Sequence, residues 1–296
     1  MVMDLEKQDL VMQFGNNNTP FVAIWMVTYN HENYLSEAVE SVMIQETNFE
    51  YKLFIGEDCS TDNTRKICKK LKEKYPKKIE LFLNEKNLGG NLNARQIYKQ
   101  CFESGAKYVA LLEGDDYWTD PLKLQIQVDF LEEHSDYTGC FHYTQTVKEN
   151  GELGSMACQN NNIMDFDAED TFSTLALFHT SSFVFLRSAL ELPVWLSKIV
   201  SGDMALFSII AAKGQLRCLP EEMSIYRKHE GGITSAPNIL NNFHSQRIEL
   251  MECLNEFHNY KYQKAADAVI EYHRMALNTN IKKIGLFYKI IQKAKK

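Results

Sequence analysis

Tyr108-Val109-Ala110-Leu111-Leu112-Glu113-Gly114-Asp115-Asp116-Tyr117-Trp118 passes from an apolar run directly into three carboxylates within four positions. The run has the length and composition of a buried strand. The carboxylates are crowded enough to need a compensating cation. Oxygen donors suit Mg2+ or Mn2+, and Mg2+ takes only one or two carboxylates together with substrate phosphates. A solvated acidic turn, leading into a helix near Asp120-Pro121, accounts for Asp116 and Asp120. It does not account for Glu113, which closely follows the apolar run.

Outward from this stretch, strands and helices alternate. Phe21 to Val27 reads as a buried strand, Tyr34 to Gln45 as a helix, and Tyr51 to Ile55 as a second strand. Asp62 to Lys74 reads as a helix with Ser60, Thr61 and Asp62 as N-cap candidates. Lys78 to Leu83 is a third strand, and Leu92 to Phe102 a helix closed by Gly105. This rhythm implies right-handed crossovers and a mainly parallel sheet, with ligands at the carboxyl ends of its strands. Thr28-Tyr29-Asn30, Glu57-Asp58 and Glu113-Gly114-Asp115-Asp116 all begin where a predicted strand stops, so three strands deliver polar groups to one edge. After residue 120 the pattern is mixed. It gives a helix over 123–131, a strand over 139–147, a loop or hairpin over 150–165 and a strand over 182–186. A helix over 203–212 and helical character from Asn238 to the end complete the chain.

The 296 residues suffice for one large α/β domain with a helical appendage. Hydrophobic residues at 45% and charged residues at 24% are the proportions of a soluble globular protein. A net charge of -7 argues against a nucleic-acid partner, which needs clustered Lys and Arg. Seven scattered cysteines, none paired at metal-ligand spacing, point to reduced thiols. Met1 to Gln13 has no apolar run of signal-peptide length, and no stretch reaches the ~18 apolar residues of a membrane span. A cytoplasmic protein is expected, with room for peripheral contact at the inner face of a membrane.

Two further pieces bear on ligand binding. Asp58, at a strand end, is placed to accept hydrogen bonds from a base or ribose, whereas Asp62 reads as a helix cap. The loop Asn87-Leu88-Gly89-Gly90 allows close backbone approach to a ligand, and Arg95 beyond it suits a phosphate or the acidic cluster.

Val27-Thr28-Tyr29-Asn30, Glu57-Asp58-Cys59-Ser60-Thr61-Asp62, Asn87-Leu88-Gly89-Gly90 and Glu113-Gly114-Asp115-Asp116, in this order and spacing, resemble the motifs of glycosyltransferase family 2. The resemblance covers residues 20 to 235 or so. It implies the GT-A nucleotide-diphosphosugar transferase fold, an α/β architecture with a three-layer α/β/α sandwich, a mainly parallel central sheet and added C-terminal helices. The expected bounds are an N-terminal extension over 1–19, a catalytic domain over 20–237 and a C-terminal helical extension over 238–296. The implied reaction is inverting, metal-dependent transfer from a UDP-sugar to a glycan or lipid-linked acceptor, of the kind used in bacterial cell-surface polysaccharide assembly.

Carried over by position, Thr28, Tyr29, Asn30 and Glu32 line the base and ribose pocket, and Asp58 meets the uracil edge. Asn87, Gly89, Arg95 and Glu113 complete the donor side. Asp115 takes the metal-binding place, with Asp116 beside it, for Mn2+ or Mg2+. Glu113 stands where Asp is commoner, and Cys59 where a small Gly is usual. Gly202-Asp203-Met204-Ala205-Leu206 looks like the acidic helix start that holds the general base. Inversion needs one carboxylate to take the proton of the attacking hydroxyl, while the metal stabilises the departing diphosphate. A plain N-cap also accounts for Asp203. Ile225-Tyr226-Arg227-Lys228-His229-Glu230-Gly231-Gly232 resembles the mobile segment after the last strand, with Arg227 and His229 on the diphosphate or metal. His179-Thr180-Ser181-Ser182 resembles the acceptor-side segment. Trp118 offers a face for a sugar ring, although aromatic residues are more often core.

Two rival readings stand beside this one. A sugar-phosphate nucleotidyltransferase would want a Gly-rich, basic loop after the first strand, where this chain has Thr28-Tyr29-Asn30-His31. A catalytically silent nucleotide-sugar or glycan-binding module has no need of so dense an acidic cluster. At the C-terminus, Ile281, Ile284, Phe287, Ile290, Ile291 and Ala294 recur at helical spacing among Lys282, Lys283, Lys289, Lys293, Lys295 and Lys296. A basic amphipathic helix over 281–296 fits an anionic membrane surface. It equally fits an apolar stripe packed on the catalytic domain.

Overall fold

The computed structural model describes residues 19–157, 164–199, 201–232 and 237–278. Strands β1 (Val22–Thr28), β2 (Tyr51–Glu57), β3 (Ile79–Leu83) and β4 (Tyr108–Leu111) alternate with helices α1 (Leu35–Met43), α2 (Thr64–Lys74) and α3 (Gly90–Glu103). β1 pairs in parallel with β2 and β4, and β2 with β3. Successive β1 side chains enter opposite cores, as the two-residue period of a strand requires. Val22, Ile24 and Met26 meet Leu35, Val39, Cys68 and Leu124 on one face. Ala23 and Trp25 meet Ile97, Tyr98, Leu206 and Phe207 on the other. Burial on both faces explains the unbroken apolar run of β1. Each buried Leu, Ile or Phe contributes roughly 1.5–3 kcal/mol. Helices on both sides of one sheet make the three layers.

The rest of the sheet is β5 (Tyr117–Trp118), β6 (Tyr137–Lys148), β7 (Leu153–Ala157), β8 (Asp165–Phe166), β9 (Val184–Leu186) and β10 (Gln215–Lys228), with helices α4 (Lys123–Glu133) and α5 (Gly202–Ala211). The sheet order is β3-β2-β1-β4-β9-β6-β10-β5, with β7 beside β6 and β8 beside β10. The parallel arrangement expected from the alternation holds from β3 to β4. Beyond it, β9 runs antiparallel to both β4 and β6, and β10 is parallel to β6 but antiparallel to β5. The sheet is therefore mixed.

β10 escaped the sequence reading because Pro220-Glu221-Glu222 interrupt it. Proline has no N–H for the ladder, and the β6–β10 register slips between Leu219 and Glu222 and again before Ser224. Ile225–Lys228 thus lie within the last long strand, a correction to their expected place after it. Only His229–Gly232 follow.

Helices α6 (Pro237–Phe257) and α7 (Gln263–Asn278) pack on each other. Leu250, Met251, Leu254, Ala266, Val269 and Ile270 join Met204 and Ala205 of α5 in one buried cluster. The helical reading from residue 238 is met as far as 278. The basic helix over 281–296 and nearly all of the 1–19 extension lie outside the described residues. Among the described residues no helix is long and apolar enough to cross a membrane.

Candidate active site

The carboxyl ends of β1 and β2 lie side by side, with Thr28 opposite Glu57. Their loops are knitted together. Asn30 N–H donates to Ser60 Oγ at 3.0 Å, and Asn30 Oδ1 accepts from Thr61 N–H at 2.9 Å. Glu32 accepts from Asn63 N–H at 3.0 Å and from its Nδ2 at 2.7 Å. Asp62 accepts from Glu32 N–H at 3.1 Å and Thr64 N–H at 2.9 Å, the second bond capping α2. Asn30 and Cys59 hold φ of 56° and 58°. Asn tolerates this left-handed state better than Cys does. Tyr29, 40% exposed, stays on the open side.

Two residues expected on the donor side brace neighbouring loops here. Asp58 is 2% exposed, and its carboxylate is already engaged. Oδ1 accepts from Asn84 Nδ2 at 2.9 Å and Leu88 N–H at 2.8 Å, and Oδ2 from Gly89 N–H at 2.9 Å. Asp58 therefore fixes the 84–89 loop. Asn87 Oδ1 shares the Gly89 N–H at 3.0 Å. Arg95 donates to Leu192 O at 2.9 Å and Pro193 O at 3.0 Å, tying α3 to a distant turn. Its guanidinium serves two backbone carbonyls in this structure.

The acidic loop after β4 is different. Gly114 N–H donates to Val27 O at 3.0 Å, which carries the loop across the end of β1. A Cβ there would stand 2.8 Å from Thr28 Oγ1 and 3.0 Å from His31 Nδ1, so glycine is required. Those two atoms are buried without a hydrogen-bond partner among the described residues. Asp115 Oδ2 lies 3.1 Å from His229 Nε2 and 3.5 Å from His31 Nε2. Burial pushes the Asp115 carboxyl up, but the His229 hydrogen bond and the two imidazole charges outweigh it and hold the group below its ordinary range. Burial also keeps His31 below its ordinary value, against the pull of Asp115.

Asp116 and Glu113 go the other way. Asp116 is 1% exposed; Oδ1 accepts from Arg227 N–H at 2.9 Å, and Oδ2 has no partner among the described residues. Burial and the charges of Asp115 and Glu113 push its carboxyl well above the ordinary range. Half-buried Glu113 is pushed up to about 8 by burial and by the charges of Asp115 and Asp203. Arg227 braces the loop: it donates to Asp115 O at 2.7 Å, pairs with Glu37, and lies over the Tyr117 ring at 4.3 Å.

Asp203 lies in the first turn of α5, near enough to Glu113 and Tyr98 for its charge to act on both. The three residues expected on the acceptor side are largely buried. Trp118 is 2% exposed, donates Nε1–H to Ser181 O at 2.8 Å, and carries the Lys123 amine 3.9 Å over its ring. Ser181 is fully buried, with Oγ 3.3 Å from Ser224 Oγ, and Thr180 is 8% exposed. These side chains are packed into the core, with little surface open to a sugar in this structure. The sequence reading missed His31, Tyr34 and Glu37 as site residues. His31 was findable, since it stands three residues past a strand end that already drew notice. Tyr34, whose ring lies 4.6 Å from that of His229, and Glu37 depend on β10 and had no local signal.

Among the described residues no three His, Cys, Asp or Glu side chains gather into a metal cage. The donor set does suit a cation completed by ligand phosphates. Asp115 Oδ2 faces two imidazole nitrogens, and its side chain is 18% exposed, hence reachable. Asp115 and His229 fit such an ion. Asp116 gives Oδ1 to the Arg227 backbone, pinning β10 under the loop, and leaves Oδ2 without a partner among the described residues.

The family model described as glycosyl transferase family 2 matches residues 23–192, more than half of the chain. An uncharacterized Mycobacterium tuberculosis protein, Rv1520, is 33% identical over 214 residues, which cover 72% of this chain and 60% of the relative. The chain thus spans about three fifths of that relative's length. The putative teichuronic acid biosynthesis glycosyltransferase TuaG of Bacillus subtilis is 34% identical over 119 residues, 40% of this chain and 45% of TuaG. The crystal structure of S. aureus TarS 1-349 in complex with UDP matches with a TM-score of 0.57 at 16% identity, over 78% of this chain and 65% of that one. The mannosyltransferase PcManGT from Pyrobaculum calidifontis, in complex with GDP-Man and Mn2+, matches with a TM-score of 0.55 at 12% identity, over 95% and 82%. Both likenesses concern the fold, which is the GT-A arrangement of sheet and helices. With its fold, its acidic loop at the end of β4 and a family match over most of the sheet, this chain belongs to glycosyl transferase family 2.

Proposed function

We propose that this protein transfers a sugar, with inversion, from a UDP-sugar to a glycan or lipid-linked saccharide acceptor in cell-surface polysaccharide synthesis. The observation that carries the reading is Asp115 at the end of β4, flanked by His31 and His229, with Asp203 close to Glu113 on the same side. Asp115 and His229 would hold a divalent cation, Mn2+ or Mg2+, whose charge stabilises a departing diphosphate. Tyr29 and Asn30 stand on the open rim, where a base and ribose would enter. Asp203 takes the acceptor proton as the hydroxyl attacks the anomeric carbon. Arg227 and Asp116 keep the loop in register with β10. Support also comes from the neighbours: TarS was solved with UDP and UDP-GlcNAc, PcManGT with GDP-Man and Mn2+, and TuaG is named for teichuronic acid biosynthesis. We read the location as cytoplasmic, with residues 238–296 as a C-terminal extension of a 20–237 catalytic domain; the membrane contact considered for 281–296 lies outside the described residues.

The test is nucleotide release from a panel of UDP-sugars and GDP-mannose, with and without Mn2+. Metal-dependent release of UDP from one member is the expected result. Release from GDP-mannose alone would move the donor class, and metal-independent release would remove the role given to Asp115.

A further inference from the structure

Arg247 belongs to α6, beyond the stretch that the family model matches, yet its guanidinium reaches the first turn of α5. Its Nη1 donates to Sδ of Met204, the residue next to Asp203. Its Nε is buried without a partner among the described residues. A guanidinium offers five donors in a planar fork matched to a carboxylate, whereas a thioether is a weak acceptor. The strongest donor group at this end of α5 is therefore spent on a poor partner, one residue away from a good one.

Packing holds it there. A positive charge at the N-terminal end of a helix is electrostatically unfavourable, so on α5 it is the Asp203 carboxylate, not the helix end, that favours the guanidinium there. The guanidinium lies 5.0 Å over the ring of Phe243, one helical turn back. Phe243 meets His273 edge-on at 5.8 Å, and His273 Nδ1 lies 2.8 Å from His244 Nδ1. Met204, Ala205, Leu250, Met251 and Leu254 share one buried cluster, which fixes α6 against α5. Burial draws the guanidinium below its ordinary value, and the Asp203 carboxylate opposes that shift.

We propose that Arg247 is a positioning residue for Asp203, its fork holding the carboxylate in one orientation as an acceptor hydroxyl approaches. The C-terminal helices then complete the active site and do more than buttress the fold. This rests on the reading of Asp203 as the base.

The experiment is a double-mutant cycle on the full chain: wild type, Arg247→Met, Asp203→Asn and the pair, with Arg247→Lys as the conservative variant. Nucleotide release is measured on UDP-glucose, UDP-N-acetylglucosamine and GDP-mannose with Mn2+, water serving as acceptor. Arg247→Met should lower kcat about tenfold with the donor KM unchanged, Arg247→Lys should recover part of it, and Arg247→Met should add no loss to Asp203→Asn. The same set, unfolded in urea, should show non-additive midpoints, a readout that needs no turnover. Losses that multiply, additive midpoints, or a raised donor KM at full kcat would each overturn the positioning role. Full kcat in Arg247→Met beside a dead Asp203→Asn sinks this inference alone, whereas full kcat in Asp203→Asn sinks the base assignment with it.

Discussion

The loops after β1 and β2 and the loop after β4 look alike as sequence, each a polar cluster at a strand end, but they differ in saturation. In the first pair, Asn30, Glu32, Asp58 and Asp62 all accept hydrogen bonds from neighbouring loops. Little of that polarity is left for a ligand. In the second, like charges are crowded, one carboxyl is pushed up to about 8, and Asp116 Oδ2 is buried without a partner among the described residues, as are Thr28 Oγ1 and His31 Nδ1 where the end of β1 faces Gly114. A closed network stabilises a fold; an unbalanced one awaits a charged ligand. Polarity at a strand end does not distinguish the two cases, but the count of satisfied donors and acceptors does.

Substitutions should divide along that line. The largest effect belongs to the unsaturated side: Asp203→Asn should keep UDP binding and lose kcat about a thousandfold, because the amide cannot accept a proton. Isothermal titration with UDP and steady-state release separate the two quantities. A kcat within a few-fold of wild type would return Asp203 to a helix cap.

On the saturated side the effect should appear in stability. Asp58→Ala strands the donors of Asn84, Leu88 and Gly89 and should cost about 3 kcal/mol, read from urea unfolding. An unchanged midpoint would break the contrast.

Glu113 sharpens it through pH. Its folded-state value is raised from 4.5 to about 8, so the folded protein keeps a proton that the unfolded chain releases. The stability this gives is fully present below pH 4.5 and is lost as pH rises to about 8. In EDTA, Glu113→Gln should flatten that slope and gain about 1 kcal/mol above pH 8, after discounting for partial exposure. Melting temperatures across pH will register it, and parallel wild-type and variant curves would contradict the assigned burial. The smallest effect is at Cys59, whose φ is 58°. Cys59→Gly should stabilise by about 0.5 kcal/mol, the relief of a left-handed β-carbon less the added chain entropy. Any loss of stability would mean that the Cys59 thiol contributes more than its backbone strain removes.

Much of this is legible in the sequence. The alternation from Phe21 to Leu112 gave the parallel half of the sheet because β1, β2 and β4 are continuous and buried on both faces. The acidic loop announced itself by charge density alone. The remainder depended on contacts distant in sequence. β10 is split by Pro220 and β5 has only two residues, so neither carries a periodicity to read, whereas the apolar run at 182–186 does mark β9. Arg95 and Asp58 carry the chemistry of ligand contacts, and only their partners at 192–193 and 84–89 reveal them as braces. Trp118 is core because Lys123 and Ser181 close over it.

The most direct measurement is Mn2+-dependent UDP release by wild type and Asp115→Ala, taken side by side with their urea unfolding curves. Asp115 carries the unsaturated loop's contact with His31 and His229, and its loss relieves repulsion with Glu113 and Asp116. The expected result is a midpoint within about 1 kcal/mol of wild type and release reduced at least about a hundredfold. A folded Asp115→Ala protein that releases UDP at the wild-type rate would contradict the assignment of this loop as the catalytic centre.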